Sequence, residues 1–326
     1  MWRTLLAMLA LAFVAGAIGL AAGSSGWGYA TPEILWQIRV PRVLAGFGAG
    51  ASLALSGALM QLLTRNPLAD PYVLGISGGA SVGALMVLWV GGLGGAAFVT
   101  DWGVAAGAAL GALVAAALLF ALSWRMLSGP GPAATAESSV ALLLIGVMIG
   151  TAGSAFVSML LVLASESQLR GMVFWLLGDL NGATQWGVAW IACVIALGLV
   201  WPRAHELDLL ARGDAWAATL GVPVARRRRT VLAAAALATG AAVATAGAIG
   251  FVGLVVPHAL RLVGARAAPV LLPASALGGG AFVVLADAVA RTVVAPVQLP
   301  VGVLAAAVGV PAFLALLLHR PRGAVR

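Results

Sequence analysis

The chain alternates long apolar runs with short polar breaks. Ten runs are apolar over most of their length: residues 5–22, 43–63, 75–90, 104–122, 140–163, 186–201, 231–249, 251–263, 270–290 and 297–318. Crossing the hydrocarbon of a bilayer takes about 20 helical residues, and backbone that reaches lipid must be hydrogen-bonded within the protein. The pattern therefore predicts ten membrane-spanning helices. Runs 75–90 and 251–263 fall short of a full crossing and are expected to be half-covered by neighbours. The first run has a second reading, the core of a cleaved signal peptide with small residues at 21–25. At 18 residues it approaches a spanning length and is read as a retained helix.

Two polar breaks stand out. The longest, 203–229, reads RAHELDLLARGDAWAATLGVPVARRRR. Its apolar spacing predicts two short helices, 206–212 and 214–220, hinged on Gly213 and closed by Gly221-Val222-Pro223. The other break, from Gln61 through RNPLADP to LGISGGA, carries two prolines within five residues and then a Gly/Ser run. A continuous helix is impossible there. Irregular backbone at a membrane face reads either as an ordinary turn or as a gate against a water-filled path.

Composition fits this picture: 62% of residues are hydrophobic, 9% are charged and mean hydropathy is +1.08, outside the range of soluble domains. The 43 glycines suit helices that approach closely in lipid, and pairs such as Gly46/Gly50, Gly75/Gly79 and Ala246/Gly250 are expected at helix contacts. The formal charge of +8 is spread between the runs, which argues against a nucleic-acid surface. With the N-terminus inside, the ten crossings put Arg3, Arg65, Arg125, Arg203, Arg212, Arg226–Arg229, Arg261, Arg266, Arg320, Arg322 and Arg326 on the cytoplasmic side, as basic residues prefer. Both termini and the 203–229 loop are then cytoplasmic. Arg39, Arg42, Arg170 and Arg291 fall outside, and Arg39 and Arg42, flanking Pro41, are expected to face outward. Trp27, Trp36, Trp89, Trp102, Trp124, Trp186 and Trp201 lie near span ends as interfacial anchors.

Candidate chemistry is sparse. There is no lysine, so the chain has no Walker A phosphate loop and is not its own ATPase. The lone Cys193 forms no intrachain disulfide and argues against a metal cluster. Asp287 and Arg291, four apart, are expected to pair on one helix near the outer end. His258 after Pro257 is read as a structural histidine and not as a haem ligand. No catalytic constellation or metal-spaced set is present.

The stretches QIRVPR (37–42), Ser56-Gly57 with Gln61 and RNPLADP, LGISGGA, LDLLARGDAWAATLGVPV, GAIGFVGLVVPHALRLVG (247–264) and LADAVAR (285–291) together resemble the permease subunits of the iron-siderophore, haem and vitamin B12 ATP-binding-cassette importers, the type II importers. The resemblance covers almost the whole chain. It implies an all-α permease fold of about ten helices per subunit, a single transmembrane domain over 1–326 with 203–229 as its cytoplasmic coupling loop, in the bacterial inner membrane. It further implies a homodimer, two cytoplasmic ATP-binding subunits that hold the ATP and Mg, one periplasmic substrate-binding protein and no cofactor in this chain. Leu207, Leu209, Leu210, Gly213, Asp214, Ala217, Leu220 and Gly221 correspond to the coupling helices against the ATPase. Asn66 and Leu68 match one cytoplasmic gate element, and Ser138 and Ser139 another, preceded here by a longer Gly/Pro-rich loop at 127–137. Arg39, Arg42 and Arg291 match arginines that dock the binding protein.

For cargo, the overwhelmingly apolar spans favour haem, followed by a ferric siderophore and then vitamin B12. A secondary transporter driven by an ion gradient is the rival of a different class. It calls for an intramembrane carboxylate relay, and only Asp287 falls inside a span. A structural or receptor-like protein would leave the jointed loop and the broken gate unexplained.

Overall fold

The computed structural model describes residues 2–23, 26–28, 30–92, 101–128, 134–182 and 184–318, and among them all regular structure is helical. In chain order the α-helices of six residues or more are α1 (Trp2–Ala21), α2 (Val40–Thr64), α3 (Ile76–Gly92), α4 (Asp101–Ser128), α5 (Ala134–Leu163), α6 (Glu166–Leu176), α7 (Trp186–Val200), α8 (Ala204–Arg212), α9 (Asp214–Thr219), α10 (Val224–Ala246), α11 (Val252–Leu262), α12 (Ala268–Thr292) and α13 (Val301–Leu318). Each of the ten apolar runs coincides with one helix. Seven of these are long and apolar enough to cross a membrane. The apolar parts of α3, α11 and α13 are shorter, so the tenth run joins the third and eighth among the short helices.

Helix α2 is the hub. In its most apolar window 89% of residues are buried, against 11% in α1 and 17% in α5. It packs against α12, α10, α7 and α11, and glycines set how closely. A methyl group on Gly50 would collide with the Gly279 carbonyl of α12, and one on Gly57 with the Gly253 carbonyl of α11. Lipid gives helices no hydrophobic drive to associate, so close backbone contact supplies the attraction instead. The Ala246/Gly250 pair does not form such a contact. Helix α10 ends at Ala246, Gly247 turns the chain at φ 67°, and Gly250 faces open space.

Three local features depart from the sequence expectation. Pro41 does not turn the chain; it sits at the second residue of α2, where its missing N–H is tolerated, and the helix is entered through a π-helical turn, Leu35–Arg39. Helix α10 begins at Val224, ahead of its apolar run, so all four arginines of 226–229 belong to its first turns; arginine is itself a good helix former. Helix α6 was not anticipated. A reciprocal cap between Ser165 and Gln168 starts it, and the Gln168 amide donates 3.0 Å hydrogen bonds to the Leu88 and Trp89 carbonyls near the end of α3.

Candidate functional site

The polar chemistry gathers at the two ends of α2. At the end bearing Arg65, α8 and α9 form the hairpin read from the sequence. Gly213 joins them at φ 141°, ψ 140°, a conformation that glycine adopts and side chains resist. Its N–H closes α8 on the Leu210 carbonyl and its carbonyl opens α9 by accepting from Ala217.

The eight hairpin residues divide by exposure. Leu207, Leu210, Asp214 and Ala217 are buried and seat the hairpin on the bundle; Leu209 and Gly213 are half-buried. Leu220 and Gly221 are exposed, beside Trp216, which is 56% exposed. The apolar surface the hairpin offers is therefore Trp216 with Leu220, and the buried leucines serve as its root. Apolar spacing alone could not separate these two faces in helices of nine and six residues.

Charge fixes the hairpin to three segments. Asp214 accepts from Arg65, at the end of α2, and from Arg228 Nη1 of α10 at 3.1 Å. Glu206 pairs with Arg227 Nε at 2.5 Å. Asp208 Oδ1 accepts from the Ala268 N–H at 2.8 Å, placing a carboxylate on the N-terminus of α12, where the helix dipole favours it.

The broken segment, read from the sequence as a turn or a gate, begins at the same point. Arg65 closes α2 in the left-handed region at φ 52°. Next, Asn66 Oδ1 accepts from the Leu68 N–H at 2.9 Å, which leaves Leu68 47% exposed. Asp70 then caps the turn Pro71–Leu74 by accepting from the Tyr72 N–H at 2.8 Å. Burial pushes the Asp70 carboxyl up to about 6, partly offset by that hydrogen bond. Asn66 and Leu68 thus adjoin the residue that grips Asp214. Ser138 and Ser139 fall in the first turns of α5, and their side chains lie outside the described residues.

At the other end of α2 the three arginines expected to face outward are turned inward. Arg39, Arg42 and Arg291 are 5%, 6% and 3% exposed. Arg39 Nη1 donates to the Leu20, Ala21 and Gly28 carbonyls at 2.7–3.1 Å, and Arg291 donates to those of Ala22 (2.8 Å) and Gly19 (3.1 Å). Helix α1 ends there with carbonyls that have no helical partner, and a guanidinium satisfies both their lone pairs and the negative end of the dipole. Arg42 and Arg291 share Asp287: Arg42 Nη2 lies 2.8 Å from Oδ1 and Arg291 Nε 3.0 Å from Oδ2. Arg42 also donates to Asn181 (2.5 Å) and Gln298 (2.7 Å). The Asp287–Arg291 pair on one helix is as expected. The part played by Arg42 was hidden because its carboxylate partner is 245 residues away.

Elsewhere, His258 is buried edge-on against Phe313, with ring centroids 5.9 Å apart. Among the described residues no group of three His, Cys, Asp or Glu could hold a metal. Trp190, not among the anticipated anchors, stacks on Phe47 at 5.2 Å and donates to the Leu44 carbonyl. Helix α5 has an exposed hydroxyl stripe, Thr151, Ser154 and Ser158, each donating to the carbonyl four residues earlier.

Ten apolar helices among the described residues, one of them a buried hub, with a jointed hairpin and a broken segment at one end, define the architecture of a membrane transport permease. The chain belongs to the FecCD transport family, whose model matches residues 4–319. It is 38% identical over 328 aligned positions to the vitamin B12 import system permease protein BtuC of Salmonella paratyphi A, covering 98% of this chain and 96% of that protein. The BtuC proteins of Salmonella typhi and of an Escherichia coli O17:K52:H18 strain match equally, at 38% and the same coverage. A solved structure described as an inward-facing conformation of a metal-chelate type ABC transporter superposes with a TM-score of 0.86 at 27% identity, over 98% of this chain and all of that one. The chain is thus a permease subunit of an ABC importer of this type, an integral membrane component.

Proposed function

We propose that the chain forms, as a homodimer, the path by which a vitamin B12-class corrinoid passes from a periplasmic binding protein into the cytoplasm. Two ATPase subunits drive the passage and hold the ATP and Mg; this chain carries no cofactor. The observation that supports the cargo is the 38% identity, over 98% of the chain, to vitamin B12 permeases, which outweighs the preference for haem drawn from apolar composition. The arginine distribution favours cytoplasmic termini and a cytoplasmic hairpin.

The coupling reading rests on the hairpin. A partner pressing on Trp216 and Leu220 moves a unit whose root holds Asp214, and through Arg65 that push reaches the gate residues Asn66 and Leu68. The binding protein docks at the opposite face, where Arg39, Arg42 and Arg291 act by holding α1 and α12 in place beneath it.

Vesicles carrying the permease with its companion ATPase and binding protein would be offered cobalamin, haem and a ferric siderophore in turn. ATP-dependent cobalamin uptake is expected. Haem uptake without cobalamin uptake would overturn the cargo, and uptake that follows an ion gradient without ATP would overturn the mechanism. Exchanging Gly213 for tryptophan, a residue resistant to φ 141°, is expected to leave ATP hydrolysis running while transport stops; unchanged transport would count against the coupling role.

A further inference from the structure

A second feature lies away from the gate, the hairpin and the hydroxyl stripe. Helices α4, α7 and α10 enclose a groove of about 490 Å³, within the range of about 300–1,000 Å³ typical of small-molecule sites. Its floor is Ala112, Ala116, Ala192, Ala236 and Gly240, and its rim includes Leu113 and Ile191, each 63% exposed. No wall comes from α5, and every lining side chain is apolar. The floor is open because small residues on three helices coincide in height, leaving a gap that dispersion favours filling.

The groove runs along α4 from Ala109 to Phe120. Eleven helical rises make about 16 Å, close to the roughly 15 Å that one leaflet contributes to a 30 Å hydrocarbon core. One helical turn past its end, the chemistry changes on both walls. Trp124 follows groove-lining Phe120 by four residues on α4, and Arg229 precedes groove-lining Ala233 by four on α10. The two meet, with Arg229 Cζ 4.8 Å from the centre of the Trp124 ring. Exposed Arg226 lies three residues from Arg229, on the same helical face. An apolar slot as long as one leaflet thus ends on an arginine steadied by an interfacial tryptophan.

We propose that this groove binds an anionic phospholipid of the cytoplasmic leaflet, with one acyl chain lying along α4 and α10 and the phosphate at Arg229 and Arg226. The leaflet assignment rests on the sidedness given above; the site itself does not depend on cargo. Charge complementarity selects the occupant: a neutral lipid could fill the slot but leaves the arginines without a counter-charge, and anionic headgroups gather at basic residues flanking a span.

The full-length assembled permease, stripped of lipid in detergent, would be given back phosphatidylglycerol or phosphatidylcholine with identical acyl chains, and retained lipid counted by native mass spectrometry. Wild type is expected to retain phosphatidylglycerol preferentially. Arg229→Gln should cut that retention about five-fold, the factor one basic residue is worth at an anionic surface, and leave phosphatidylcholine unchanged. Ala233→Trp, at an exposed position in the mouth, should lower retention of both lipids; Ala116→Phe provides the same block from α4 if the first variant fails to assemble. Equal retention of the two lipids by wild type, or retention unaffected by both blocks, would overturn the proposal. So would loss of the native oligomer in both blocked variants, which would mean that a second copy occupies the groove.

Discussion

Both ends of the molecule gather arginines around a single aspartate, and they do so to opposite purposes. At the Asp287 end the groups are sealed: the side chains of Arg42, Arg291 and Asp287 are 7%, 4% and 3% exposed, and the spare donors of Arg291 close on the carbonyls that end α1 while those of Arg42 reach Asn181 and Gln298. At the Asp214 end the partners come from α2 and α10; Asp214 and Arg228 are 10% and 7% exposed, but Arg65 keeps a third of its side chain exposed. One cluster ties spans to one another; the other ties a surface hairpin to the end of α2, beside the broken segment that follows it. An ion pair in low dielectric is stiff because breaking it strands a charge, whereas one that water can reach exchanges partners at small cost. The difference makes the first a fixed pivot and the second a joint.

The largest effect is expected at the pivot. Asp287→Asn removes the carboxylate from two buried guanidinium groups and leaves them to repel each other, a loss of about 3–5 kcal/mol by the general cost of stranding a buried charge. Heat denaturation in detergent should show a much lower midpoint than wild type. A midpoint within a degree or two would mean that this end is wetter than its burial indicates, and the contrast between the clusters would disappear. Arg39→Gln, which loses only caps on α1, should be milder.

The joint should respond with less lost stability and more lost transport. Asp214→Asn lets Arg65 turn to water but takes this carboxylate from one buried guanidinium, Arg228, where Asp287→Asn takes it from two, so the loss should sit at the low end of the same range, about 3 kcal/mol. On the proposed coupling role, the hairpin then moves without pulling Arg65, so ATP hydrolysis in the assembled importer should persist while cargo uptake per ATP falls several-fold. Equal losses in hydrolysis and uptake would assign Asp214 to folding alone.

Much of this architecture was legible in the chain because lipid imposes a strict length rule: a run of about 20 apolar residues has few alternatives to a helix. The hairpin was legible too, since Gly213 between two short apolar periodicities leaves little choice. Direction was harder. Arg39 and Arg42 stand apart from the bias of the other arginines, and nothing in the order of residues signals that the end of α1 offers Arg39 carbonyls or that Asp287 reaches Arg42 from α12. Leu207 and Leu210 could not be told from Leu220, because which face of so short a helix is covered depends on what it lands on. Helix α6 did leave a signal, Ser165 three residues before Gln168, masked by its position between two apolar runs.

The smallest expected effect lies next to the joint and depends on pH. Asp70 titrates near 6 in the folded protein, against 3.8 ordinarily, because burial disfavours its charge. The folded state therefore holds that proton more tightly than the unfolded chain. The cost of the buried carboxylate is fully present above pH 6 and is relieved as pH falls from about 6 toward 3.8. Asp70→Asn keeps an oxygen to accept from the Tyr72 N–H, as asparagine caps do, and carries no charge to relieve. Between pH 7.5 and pH 5 the wild type should gain stability relative to the variant, read as the difference between their melting points at each pH. Parallel shifts would show that water already reaches Asp70, and the turn at Pro71–Leu74 would then be as open as the Arg65 side of the joint.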